Sequence, residues 1–328
     1  MAELRWHPLI KDWVMIASNR QSRPQMPKDY CPFCPSFGNV PDYEVLEYDN
    51  DFPALSQNPP EPDDVANDFF QVRPSYGKCE VILYSPGHTT TVPELSDSHM
   101  KKLVDLWCDR FTALSADEKI KYVFPFENRG DVVGVTMPHP HGQIYGYSVI
   151  PKKLELETQA AREYYEEKGV CLFCDMLKNE LEAEKRIIFR NEHFTVFLPF
   201  YCEYPYGVYI MANSHKPYIT DFTQEERMSL GLTIRDVVGM LDSLFGYRFP
   251  YMMCMHNAPV NSGDYSKDFH FHIEFYPPMR SADKQKFNAS SETGAWACCN
   301  PTCPEETSQE LRAAYEKYKA AEGEIQRV

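Results

Sequence analysis

The chain has 328 residues, an apolar fraction of 43% and a formal charge of −15. That length and composition allow one large domain or two ordinary ones with a real core, and they exclude a disordered or low-complexity chain. The acidic balance argues against a nucleic-acid-binding surface, and every apolar run is far short of a membrane span. The N-terminal stretch MAELRWHPLIKDW has neither the basic nor the apolar region of a signal peptide, so a soluble cytoplasmic protein is expected. β-Branched and aromatic runs predict strands over 13–17 and 79–84, and helical periodicity predicts a helix over 97–114. Strands over 122–126 and 143–150 follow, then a helix over 154–167 and strands over 194–199 and 208–212. A helix over 224–244 opens with the Thr223/Glu226 capping box and stops near Gly246. Strands over 251–256 and 270–276 come next, and a polar helix runs from Pro304 onward. The pattern is α+β with a mostly antiparallel sheet.

The order of motifs repeats. The first half reads CPFC (Cys31–Cys34), YDNDFPAL, VILYSPGH ending at His88, a helix, KYVFPFEN and then HPHGQ from His139. The second reads CLFC (Cys171–Cys174), RNEHFTVF, VYIMANSH ending at His215, a helix, YMMCMHN and then HFHIE from His270. Such matched order predicts two copies of one α+β unit, residues 1–153 and 154–328, packed as a continuous sheet across a pseudo-twofold axis.

The 11 cysteines are an odd number without a secretion signal, which argues against a disulfide framework. Two cysteines separated by two residues reach one ion from a single turn, and tetrahedral zinc needs two further ligands. Cys31, Cys34, His88 and His139 are the first expected Zn2+ site. By the repeat, Cys171, Cys174, His215 and His270 are the second. Free buried thiols are the alternative reading, and Cys298, Cys299 and Cys303 are read as a loop of free thiols.

In HPHGQ, His139 and His141 point to one side of a strand. With His139 anchored on a metal, His141 is held as a neutral imidazole, a good nucleophile toward phosphorus. Gln143 then decides between reaction types. A third histidine there could move protons and serve a hydrolase, whereas a glutamine amide only donates a hydrogen bond to a phosphoryl oxygen. The motif therefore predicts nucleotidyl transfer through a covalent histidine. Arg20 and Arg23 in RQSRP suit phosphate, Asn50 and Asp51 suit base or ribose, and Asn128 in FENRG lies just before the motif. Lys286, Phe287 and Glu292 in KFNASSETG could reach substrate from the other half or another subunit. Taken singly, each of these residue types is more often a solvated surface residue, and position relative to the motifs is what raises them.

With RQSRP, CPFC, NDFPAL, SPGHTTTVPEL, FENRG, HPHGQIYGY, ITDFT, FHIEFYPP and KFNASSETG, the chain resembles the galactose-1-phosphate uridylyltransferase family of the histidine-triad superfamily. The resemblance implies two tandem histidine-triad-like units. It also implies ping-pong transfer of UMP from UDP-glucose to galactose 1-phosphate through uridylyl-His141, with Gln143 stabilising the intermediate. Arg20, Arg23, Asn50, Asp51, Asn128, Lys286, Phe287 and Glu292 match positions that contact nucleotide or sugar. Homodimers are implied, with part of each site supplied by the partner. The chain departs from some relatives at Val135, Thr136 and Met137, where they have Cys-Ser-Asn; Thr136 keeps a hydroxyl for phosphate. Some relatives hold a second metal with one glutamate and three histidines, matched here by Glu157, His256, His270 and His272. The second CxxC favours the Cys171, Cys174, His215 and His270 set instead. Rival readings are an adenylyl-transferring relative such as an ADP-glucose phosphorylase, a triad-type nucleotide hydrolase, and a zinc-stabilised binding module.

Overall fold

The computed structural model describes residues 2–21, 30–37 and 39–325. In chain order the first half contains β1 (Ala2–His7), β2 (Asp12–Ala17), β3 (Leu46–Asp49), β4 (Val72–Pro74), β5 (Gly77–Leu83), α1 (Asp97–Ser115), β6 (Tyr122–Arg129) and β7 (His141–Tyr147). The second contains α2 (Lys152–Lys168), α3 (Leu172–Ala183), β8 (Ile187–Arg190), β9 (Phe194–Phe197), β10 (Tyr209–Ala212), α4 (Gln224–Phe245), β11 (Tyr251–His256), β12 (His272–Tyr276), α5 (Ser290–Ala295) and α6 (Pro304–Ile325).

β1, β2 and β4 form a small antiparallel sheet of their own. The other nine strands form one sheet in the order β3-β5-β7-β6-β11-β12-β10-β9-β8, antiparallel at every ladder. The halves meet where β6 pairs with β11, Arg129 opposite Tyr251 and Phe126 opposite Cys254. Outward from that seam the order is β7-β5 on one side and β12-β10 on the other, so the strands carrying HPHGQ and HFHIE hold matching places. This is the continuous two-unit sheet that the repeat predicts.

Alternation along the strands sorts the residues by face. Ile82, Val123, Ile144, Met253, Ile273 and Phe275 point to one face and join a single buried core with α1 and α4. On α1 the core residues are Met100, Leu103, Val104, Trp107, Cys108, Phe111 and Leu114, the spacing of one helical stripe. Each such side chain contributes about 1.5–3 kcal/mol when fully buried. Thr223 and Glu226 cap α4 as expected, Thr223 N donating to Glu226 Oε2 at 2.7 Å, and Gly246 closes it in the left-handed conformation. His141, Gln143 and Tyr145 therefore project from the opposite face. Over the second half that face is covered by α2 and α3, through Ala161, Phe173 and Leu177.

Several elements have no counterpart among the predicted ones. β3, β4 and β8 are four residues or fewer and leave little room for a pattern. α3 begins directly at Cys171 within CLFC, where the metal-like spacing hides the helical period.

Candidate active site and metal centres

His139 lies before β7 and not on it, so the two histidines of HPHGQ do not share one side of a strand as expected but are fixed differently. His139 is 1% exposed, and its Nε2 lies 2.8 Å from the Ser85 carbonyl oxygen. A carbonyl only accepts, so Nε2 carries the proton and the Nδ1 lone pair faces Cys31 Sγ at 3.7 Å and Cys34 Sγ at 3.6 Å. His141 is turned the other way: its Nδ1 donates to the His139 carbonyl at 2.7 Å. The lone pair of His141 is thereby on Nε2. The Phe33 ring, between the two cysteines, lies 5.7 Å from that of His141.

Three cavities meet at His141. One of about 360 Å3 is lined by Phe33, Tyr48, Asn50, Asp51, Phe52 and Val81 together with Thr136, His141 and Gln143. Its apolar walls and two adjacent carboxamide and carboxylate groups suit a base and a ribose. A second, of about 330 Å3, is lined by Arg20, Phe126, Asn128, Thr136, His141, Gln143 and Tyr145, and suits a phosphate and what it carries. A third, of about 170 Å3, reaches the motif from behind, past Glu127, Arg129, Arg248 and Tyr251. Arg20, Asn50, Asp51, Asn128, Thr136, His141 and Gln143 are thus brought together. Lys286, Phe287 and Glu292 line none of these cavities: Lys286 lies over the Tyr204 ring and Phe287 is 71% exposed. Arg23 lies outside the described residues. Sequence reasoning missed Glu127 and Tyr145. Both are within two residues of named motif positions, but nothing in a local pattern marks a buried carboxyl or a bonded hydroxyl.

Cys31, Cys34, His88 and His139 form one cluster, and Cys171, Cys174, His215 and His270 a second. Within them the sulfur-to-nitrogen distances are 3.5–3.7 Å and 3.3 Å. Nitrogen and sulfur ligands around a tetrahedral zinc sit roughly 3.5 Å apart, so both sets fit such an ion. The outer nitrogens of His139 and His215 are held by the carbonyls of Ser85 and Ser266, which orient each ring toward its sulfurs. Burial, with help from Cys31, pushes the Cys34 thiol up to about 11. Burial lowers His139 to about 4, which keeps it a neutral ligand.

Glu157, His256 and His272 form a separate group that excludes His270, which turns to the cysteines. The one-glutamate, three-histidine set is therefore divided in this chain. Glu274 completes the group, within 3.4 Å of His272 and 3.5 Å of His256, and Lys153 donates to it at 2.8 Å. Burial opposes charge on Glu274, but His256 and Lys153 hold its carboxyl well below the usual range.

The repeat sets His272 where the first half has His141 and Glu274 where it has Gln143. The environments differ. The Tyr209 ring stacks on His272 at 5.9 Å, occupying the ladder position of Val81, and Phe173 closes on it at 5.0 Å. His272 is 1% exposed. Only the first-half histidine opens onto a cavity.

Comparison with known proteins agrees with this geometry. Residues 1–151 match the family model for the galactose-1-phosphate uridyl transferase N-terminal domain, and residues 157–317 that for its C-terminal domain. The chain is 41% identical to the galactose-1-phosphate uridylyltransferase of Thermotoga maritima over 314 residues, covering 95% of this chain and 98% of the relative. It is 31% identical to that of Saccharomyces cerevisiae, with 86% of each covered. A solved uridylyltransferase superposes with a TM-score of 0.87 at 31% identity, covering 96% of this chain and 99% of the other. An ADP-glucose phosphorylase from Arabidopsis thaliana shares the fold, with a TM-score of 0.73 at 21% identity and coverage of 95% and 99%. Matched over both halves, with the HPHGQ strand beside a Cys2His2 cluster, the chain belongs to the galactose-1-phosphate uridylyltransferase family.

Proposed function

We propose that this protein transfers UMP from UDP-glucose to galactose 1-phosphate in two steps through uridylyl-His141. The observation that carries the reading is the 2.7 Å bond from His141 Nδ1 to the His139 carbonyl, which puts the attacking lone pair on Nε2. In the first step Nε2 bonds to the α-phosphorus, the bond to the β-phosphate oxygen breaks, and glucose 1-phosphate leaves. The imidazole becomes cationic, and the His139 carbonyl stabilises it through Nδ1–H. In the second step a phosphate oxygen of galactose 1-phosphate attacks, the N–P bond breaks, and His141 returns neutral. That phosphate is already ionised, so the acceptor needs no general base. Gln143 donates to a phosphoryl oxygen in both steps, Arg20 and Thr136 hold phosphate, Asn128 lies against the transferred group, and Asn50 and Asp51 hold the nucleoside. Arg23 is assigned to phosphate by resemblance.

Both Cys2His2 clusters are assigned to zinc, the first as the rigid anchor of His139. The chain is read as two units, 1–153 and 154–328, in a cytoplasmic homodimer. Lys286, Phe287 and Glu292 would then serve the partner subunit's site, a reading supported by their distance from the cavities of their own chain. Intact-mass analysis after mixing with UDP-glucose alone tests the main reading. A UMP-sized gain is expected, absent in His141→Ala and discharged by galactose 1-phosphate. An AMP-sized gain from ADP-glucose, with none from UDP-glucose, would overturn the uridylyl assignment.

A further inference from the structure

His141, Gln143 and Tyr145 lie on alternate positions of β7 and share its open face. Uridylyl transfer asks Gln143 to donate from its amide nitrogen to a phosphoryl oxygen. An amide can present either its oxygen or its nitrogen to the cavity, and its oxygen would repel the phosphate. We propose that Tyr145 is a positioning residue for this reaction, its hydroxyl donating to Gln143 Oε1 at 3.0 Å so that Nε2 faces the cavity of His141. The proposal rests on the uridylyl-transfer reading above and names a further residue within it.

The direction of that bond follows from what lies on the other side of the hydroxyl. The Arg20 guanidinium lies by the same hydroxyl and lines the same cavity. A guanidinium has donors only, so it cannot take the hydroxyl proton, which goes to Gln143 Oε1. The amide nitrogen, with two N–H groups, is left on the cavity side. A cation beside the phenol oxygen also strengthens its O–H as a donor, and the bond to Gln143 polarises the amide. The phenol itself is fixed. It is 6% exposed, its ring meets Phe126 edge-on at 5.0 Å, and it packs with the buried Leu55 and Cys79. Arg20 thus has two jobs in one place, as a wall of the phosphate cavity and as the cation beside the donating hydroxyl.

Four proteins decide the matter: wild type, Tyr145→Phe, Gln143→Ala and the double variant. Each is mixed rapidly with UDP-glucose, and the rate of uridylyl-enzyme formation is followed by mass. Tyr145→Phe keeps the ring and its packing and loses only the oxygen. Its expected effect is a fall in kcat of roughly tenfold with KM for UDP-glucose within about twofold, smaller than loss of a whole donor. In the Gln143→Ala background the same change should cost less than about twofold, since no amide remains to orient. Equal losses in both backgrounds, or a wild-type rate for Tyr145→Phe, would overturn the proposal. If wild type itself gives no adduct, the uridylyl reading falls instead, so the two failures are distinct. An experimental structure of the wild-type uridylyl-enzyme is the second measurement, independent of whether any variant folds. Tyr145 Oη should lie within bonding distance of Gln143 Oε1 and not against the uridylyl group; a direct contact with the nucleotide would overturn the positioning role.

Discussion

At the scale of single residues, Gly142 separates His141 from Gln143, and its lack of a side chain has a spatial cause. A Cβ there would lie 2.3 Å from Tyr84 Oη and 3.1 Å from the Phe126 carbonyl oxygen. Gly142→Ala should push β7 off this support and misplace both neighbours, lowering kcat about a hundredfold and stability by about 1–3 kcal/mol. Adding Tyr84→Phe, which removes the nearest atom, should restore part of both; steady-state rates and thermal melts of the single and double variants check this. Glu127 makes a pH prediction. Burial, partly offset by Arg129 and by the bond from Tyr251, pushes its carboxyl up to about 7 from 4.5. The folded state therefore holds a proton that the unfolded chain has released between those values, and this residue's contribution to stability falls as pH rises from about 4.5 to about 7. Above that window the loss is on the order of 3 kcal/mol. Glu127→Gln keeps an acceptor for Tyr251 and does not ionise, so its melting temperature relative to wild type should be higher at pH 8 than at pH 5. An unchanged difference across the two pH values would contradict the assignment.

At the scale of elements, the helical layer depends on one close crossing. α6 packs on α4 at Gly239, where a Cβ would lie 2.3 Å from the Tyr318 ring. In an isolated helix Gly→Ala is stabilising by about 1 kcal/mol. Here overpacking should win, so Gly239→Ala is expected to cost about 1–3 kcal/mol net in chemical denaturation, and Tyr318→Ala in the same chain should recover part of it. The same reasoning explains the unequal halves. α2 and α3 lie over the second-half strands, and Tyr209 takes the position of Val81, so stacked rings fill the space that is an open cavity beside His141. Geometry buries His272 although its motif resembles that of His141.

At the scale of the whole molecule, the sheet and one core run through both halves, Ile82, Trp107 and Ile144 joining Val196, Leu230 and Met253. Across the seam Arg129 grips Asp242 through two bonds of 2.9 and 2.8 Å. The halves should therefore unfold together, in a single calorimetric transition and not two. Zinc bound as proposed would tie each half of the sheet to its own Cys2His2 cluster. Treatment with a strong chelator should lower the melting temperature and release two zinc ions per chain, whereas Cys34→Ser should release the first alone and slow uridylylation by loosening His139. Metal analysis of the two proteins checks the count. No helix among the described residues is long and apolar enough to cross a membrane.

What the sequence determined by itself is the chemistry that short spacing can hold. Two cysteines three positions apart, two histidines two positions apart and a glutamine two further on are matters of covalent distance, readable before any folding. So were the capped start of α4 and the repeated order of motifs. Tertiary structure decided which distant residues meet. His270 belongs with Cys174 and not with Glu157, because the turn before β12 aims its Nδ1 at the sulfurs. The His141 tautomer depends on a carbonyl two residues back, and Gln143 and Tyr145 share a cavity with Arg20, which lies at the far end of the first half. Lys286 and its neighbours lie away from the cavities of their own chain. Strand register and helix placement set these distances, and a one-residue shift along β7 would have turned His141, Gln143 and Tyr145 into the core.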